Sequence, residues 1–62
     1  MKVISRQSGG ATIELSRHEL VMLNNSMNET LNEIDEEEFE TRVGATSDEV
    51  QALLVQVHKL MM

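Results

Sequence analysis

Sixty-two residues with a formal net charge of −6 and no cysteine hold one domain, residues 1–62, without disulfide or thiolate–metal staples. Five basic residues against eleven acidic ones work against nucleic acid, whose sequence-independent affinity comes from Lys and Arg neutralising phosphates, and against an anionic membrane surface. Phe39 is the sole aromatic, so base-stacking platforms are excluded and the core is expected to be aliphatic and methionine-rich.

A domain of this size buries only about 60% of the surface of its unfolded chain. One such core rarely supplies more than about 3–5 kcal/mol unaided, which makes a homodimer the default expectation. No apolar run approaches the roughly 20 residues of a membrane span. Met1, Lys2, Val3, Ile4, Ser5 and Arg6 lack the apolar core of a signal peptide, so a cytoplasmic location is expected. The sequons at Asn24 and Asn28 fall inside a predicted helix.

Residues 2–15 read as a β-hairpin. Val3 and Ile4 lie in one short run, Ile13 and Leu15 alternate with Thr12 and Glu14 in the other, and Ser8-Gly9-Gly10 marks the turn. A Gly9-Gly10 loop, using the positive φ open to glycine, would set Ile4 opposite Leu15 and Arg6 opposite Ile13.

Three helix starts follow with one grammar: a short polar cap, a Glu three residues later, and flanking apolar residues that staple the entry. They are Ser16 with Glu19, Asp35 with Glu38, and Thr46 with Glu49. The predicted helices span about 17–33, 36–43 and 47–60. The first carries an inward stripe of Leu20, Leu23, Met27, Leu31 and Ile34. Gly44 is placed as the left-handed stop of the second. The third gathers Val50, Leu53, Leu54, Val57, Leu60 and Met61 on one face. The expected class is α+β, mainly helical, in the order ββααα.

Seven of the eleven acids lie between positions 29 and 40, and no basic residue occurs between Arg17 and Arg42. Glu33, Asp35, Glu36, Glu37 and Glu40 are therefore candidate residues for steering a basic protein partner. The bland alternative is a solvated helix start whose carboxylates complement the dipole. Asn24, Asn28 and Asn32 repeat every four residues and form a polar ridge, either a hydrogen-bonding contact surface, a ridge that docks against the backbone of the hairpin, or an exposed face. His18 and His58 stand alone, no serine sits in a nucleophile elbow, and nothing suggests a water-excluding pocket that would tune a carboxylate for proton transfer. No catalytic residue, cofactor or metal site is expected. For the dimer, the hairpin edge and the end of the third helix supply the candidate contacts Ile4, Ile13, Leu54, Val55 and Met61.

Residues 39–53 resemble a helix-turn-helix, with a short helix, Gly44 in the turn, Val50 six residues on and Leu53 three further. The resemblance implies that Phe39, Val43, Val50 and Leu53 pack the two helices together. It departs at Glu40, where a small residue is usual, and at Ser47, Asp48, Glu49 and Gln51, whose acidic character would face phosphates. More broadly, Leu15-Ser16, Glu19-Leu20, Leu23-Asn24-Asn25, Asn28-Glu29, Leu31-Asn32, Glu38-Phe39, Thr41-Arg42, Gly44, Glu49 and Leu53-Leu54 resemble a family of small, mostly uncharacterised bacterial proteins with no activity to carry over. The leading expectation is an acidic protein-binding module, immunity-like, antitoxin-like or a regulatory accessory. The alternatives are a helix-turn-helix DNA-binding regulator and a purely structural oligomer subunit.

Overall fold

The computed structural model describes every residue, Met1–Met62. The chain runs β1 (Lys2–Gln7), β2 (Gly10–Glu14), α1 (Arg17–Glu33), α2 (Glu36–Val43) and α3 (Ser47–Lys59). This is the ββααα order that the periodicities predict, with α3 closing one residue early.

The hairpin differs from expectation in register. Its two-residue loop is Ser8-Gly9, since Gln7 pairs with Gly10, Arg6 with Ala11 and Ser5 with Thr12. A bulge at Ile4 then shifts the ladder, setting Val3 opposite Ile13 and Lys2 opposite Glu14. Arg6 and Ile13 are thus not partners, and Leu15 lies beyond the ladder. The loop also does without the positive φ assumed for it, because Gly44 alone in the chain has one. Bulges add twist and re-aim side chains, and this one takes Ile4 out of the cross-strand pairing.

Two of the three caps form as predicted. The Ser16 hydroxyl accepts from the Glu19 N–H at 3.1 Å while the Glu19 carboxylate accepts from the Ser16 N–H at 2.9 Å. Thr46 and Glu49 repeat the exchange at 3.2 and 3.0 Å. Asp35 makes no side-chain cap; the Glu38 N–H turns to the Asp35 carbonyl at 3.0 Å. A reciprocal box there would draw the carboxylates of Asp35 and Glu38 together, whereas Ser16 and Thr46 offer a neutral hydroxyl. Glu38 instead leans to Arg42 at 3.8 Å. The expected result is that Ser16→Ala and Thr46→Ala each lose about 1 kcal/mol and Asp35→Ala clearly less, read from thermal melts at one protein concentration.

The turn from α2 into α3 rests on Gly44, at φ 86°, whose N–H returns to the Glu40 carbonyl at 2.8 Å. Helices α1 and α3 run antiparallel, and the Arg17 guanidinium at the start of one donates to the Met61 carbonyl past the end of the other at 2.9 Å. Between them and α2 lie the three buried residues, Phe39 (1% exposed), Val57 (7%) and Val50 (9%).

Helix phase differs from the predicted packing on all three helices. On α1, Asn24 is turned in with Leu20, Met27, Leu31 and Ile34, while Leu23 is exposed. On α3 the inner line is Val50, Leu54, Val57 and Met61, and the predicted inward residues Leu53 and Leu60 stand 52% and 68% exposed. Val43 is exposed too, so Phe39 and Val50 alone of the four predicted helix-turn-helix contacts are buried. Leu23 and Leu53 sit about 60–70° off the helix–helix line, given 100° per residue, and a flat pair of helices leaves such positions uncovered.

The molecule measures 36 × 29 × 15 Å with a radius of gyration of 12.9 Å, against about 10.6 Å for a compact domain of this length. No hairpin residue brings its backbone against a helix; the close element pairs are the two strands, α1 with α3, and α2 with α3. The Met1 amino group, 2.6 Å from the Glu19 carboxylate, ties the hairpin to the cap of α1.

Candidate partner-binding surfaces

Charge divides the molecule along its length. The end of α1, all of α2 and the start of α3 hold Glu29, Glu33, Asp35, Glu36, Glu37, Glu38, Glu40, Asp48 and Glu49 against Arg42 alone, a side-chain charge of −8. The hairpin, the start of α1 and the end of α3 hold Lys2, Arg6, Arg17 and Lys59 against Glu14 and Glu19, a charge of +2. Glu33, Asp35, Glu36, Glu37 and Glu40 are all exposed, and none has a basic group within ion-pair distance.

The helix dipoles explain part of this clustering. The Ser47 hydroxyl donates to Glu36 at 2.6 Å, which brings the N-termini of α2 and α3 together, and carboxylates are favoured beside those positive ends. Hydrogen bonds donated by Thr46, from its backbone and then its hydroxyl, hold Glu49 below the usual carboxylate range. Glu29 and Glu33 have no such excuse. They occupy the last turns of α1, where the dipole is negative and no basic residue is present. Placing carboxylates there costs stability, so capping does not account for them.

A second surface is the cleft of about 510 Å³ along one side of the α1–α3 pair. Asn24 and Asn28 form one wall; Gln51 and His58 face them, over Leu54 and Val55. Two of the three asparagines of the predicted ridge, Asn24 and Asn28, therefore border a groove rather than the hairpin. Within it, the Asn24 Oδ1 is buried with no hydrogen-bond partner, a state that costs about 1–3 kcal/mol in desolvation. Asn24→Leu is expected to raise the unfolding free energy by about 1 kcal/mol, measured by urea denaturation.

A third surface lies on the other side of the pair, where Ile13, Glu14 and Leu15 meet Leu20 and Leu60 around a mainly apolar groove. Leu53, seven residues before Leu60, shares this flank, as does Leu23 one turn from Leu20. Of the candidate dimer residues, Ile13 lies here. Ile4 is exposed in the bulge, Val55 borders the opposite cleft, and Leu54 and Met61 are half-buried. Sequence reasoning passed over Leu20, Leu23, Leu53 and Leu60 as a surface because each fits an inward stripe by spacing.

No three His, Asp or Glu side chains converge as a metal site, and no helix is long and apolar enough to cross a membrane. Compared with protein-family models, curated proteins and solved structures, the chain matches none.

Proposed function

We propose that this chain is a small, acidic, non-catalytic protein-binding module, of an immunity-like, antitoxin-like or regulatory accessory kind, whose α2 end receives a basic partner. The charge division carries this reading. A net −8 gathered on one end, with Glu29 and Glu33 held against an unfavourable dipole, supports a field aimed at something outside the molecule. Complementary charge of this kind accelerates encounter and selects the partner.

The test is capture from a lysate of the source organism by the wild-type chain and by the triple variant Glu36→Gln, Glu37→Gln, Glu40→Gln. All three side chains are exposed, so the fold is expected to persist. A basic protein retained by the wild type, released by salt and lost with the variant supports the reading. Equal capture by both chains overturns it.

The start of α3 opposes a DNA-binding role. Asp48 and Glu49 lie in its first turn, and a recognition helix needs basic neighbours in the groove. Fluorescence anisotropy at physiological salt is expected to show no duplex binding in the range of about 10⁻⁴–10⁻⁶ M typical of non-specific binders.

A further inference from the structure

We infer that the apolar face of Leu20, Leu23, Leu53 and Leu60 is covered by the same face of a second copy, packed head to tail about a two-fold axis perpendicular to the helices. The leucine face holds none of the acidic residues of α2, and mass and cross-linking direction read it apart from capture of a basic partner.

Area is the first argument. The chain exposes 4951 Å², whereas a monomeric protein of its mass exposes about 4,000 Å². The excess of roughly 900 Å² is close to the 800 Å² that each partner contributes to a standard interface. Folded domains close their cores between packed layers, and here only Phe39, Val50 and Val57 are buried. The side lined by Leu53 and Leu60, 52% and 68% exposed, is where a second layer has aliphatic surface to meet.

Charge selects the occupant and its direction. Stacking the helix layer on its copy with the helices antiparallel sets each −8 end over the +2 end of the other. Stacked helices lie about 8–10 Å apart, comparable to the screening length of about 8 Å at physiological salt, while the two −8 ends are kept far apart along the helices. The parallel stack would superpose them. A two-fold axis also needs a self-complementary patch, and the four leucines form one, with Glu14 at the end of β2 the one charged residue lining the adjoining groove. The axis crosses α3 near its midpoint, which is Leu53 in Ser47–Lys59, so Leu53 meets Leu53 of the copy and Leu60 does not meet itself.

Light scattering over a concentration series reads the mass, and single-cysteine oxidation reads the direction, on a chain that has no cysteine of its own. The expected mass is twice the 7.0 kDa of the chain, with Leu53→Cys oxidising to a covalent dimer at least tenfold faster than Leu60→Cys. Leu53→Asp and Leu60→Asp are each expected to halve the mass with helical circular dichroism retained. Should one lose its helix signal, the other decides. A wild-type mass of one chain at about 100 μM, or an aspartate variant that stays dimeric and folded, overturns the interface. Faster linking through Leu60→Cys than through Leu53→Cys overturns the head-to-tail direction.

Discussion

Phe39→Ala is expected to leave no cooperative unfolding transition at 25 °C. Phe39 is the one side chain fully enclosed, at 1% exposure, and it supplies the wedge by which a two-turn helix joins α3. Truncating a buried phenylalanine costs about 3–5 kcal/mol, which is as much as a single core of this size supplies. The loss cannot be spread over neighbours, because Val50 and Val57 are the only other buried residues. Phe39→Leu, which keeps most of the volume, is expected to cost under about 1.5 kcal/mol and to melt cooperatively. Far-UV circular dichroism against urea, at one protein concentration because association shifts apparent stability, separates the two. A sharp transition for Phe39→Ala near the wild-type midpoint would mean the interior is sustained without it.

Acid is expected to release the hairpin from α1 through Glu19. The Met1 amino group beside its carboxylate is the main cause, followed by the Ser16 N–H, and together they lower its pKa from 4.5 to about 2. A folded-state pKa below the unfolded value means that the contribution to stability is whole above pH 4.5 and is lost as pH falls from 4.5 towards 2. Glu49 shifts in the same direction through Thr46, so the cap of α3 weakens over the same side of the scale. The expected observation is that Glu19→Gln lowers the melting temperature at pH 7 and flattens its fall between pH 5 and pH 2. Parallel wild-type and variant curves across that range would show that the pair contributes nothing to the folded state.

Local chemistry made the elements legible, and packing direction did not show in the sequence. The hydroxyl–glutamate pairs at Ser16 and Thr46 placed two helix starts to the residue, because a cap is settled within four positions of chain. Gly44 did the same for the stop of α2. The stripe on α1 was a different kind of problem. Leu20, Met27 and Leu31 fit equally with Leu23 or with Asn24, which lie one on each side of the same line, and hydropathy selects the leucine. The choice actually made depends on where α3 lies, and that is a tertiary fact. Leu53 was misplaced for the same reason, since its spacing from Val50 is the helical repeat whether or not a second layer covers it. In the hairpin Ser8-Gly9-Gly10 marked the turn, but the loop sits one residue earlier than the glycine pair, and with the bulge at Ile4 the register departs by two residues beside the turn and three beyond it. The acidic candidates were visible because charge needs no packing to be exposed. The orphaned Oδ1 of Asn24 was invisible until its surroundings were known.

The hairpin touches the helical layer only through side chains and the Met1–Glu19 pair, with no backbone of either strand lying against a helix. Cooperativity follows packed contact, and segments lacking it open at a free energy well below that of the whole molecule. A two-stranded ribbon is in any case marginal on its own in water. The chain therefore divides into two units of unequal permanence. Amide protons of β1 and β2 are expected to exchange with solvent through local opening, and those around Val50 and Val57 only on global unfolding, which hydrogen exchange would read residue by residue.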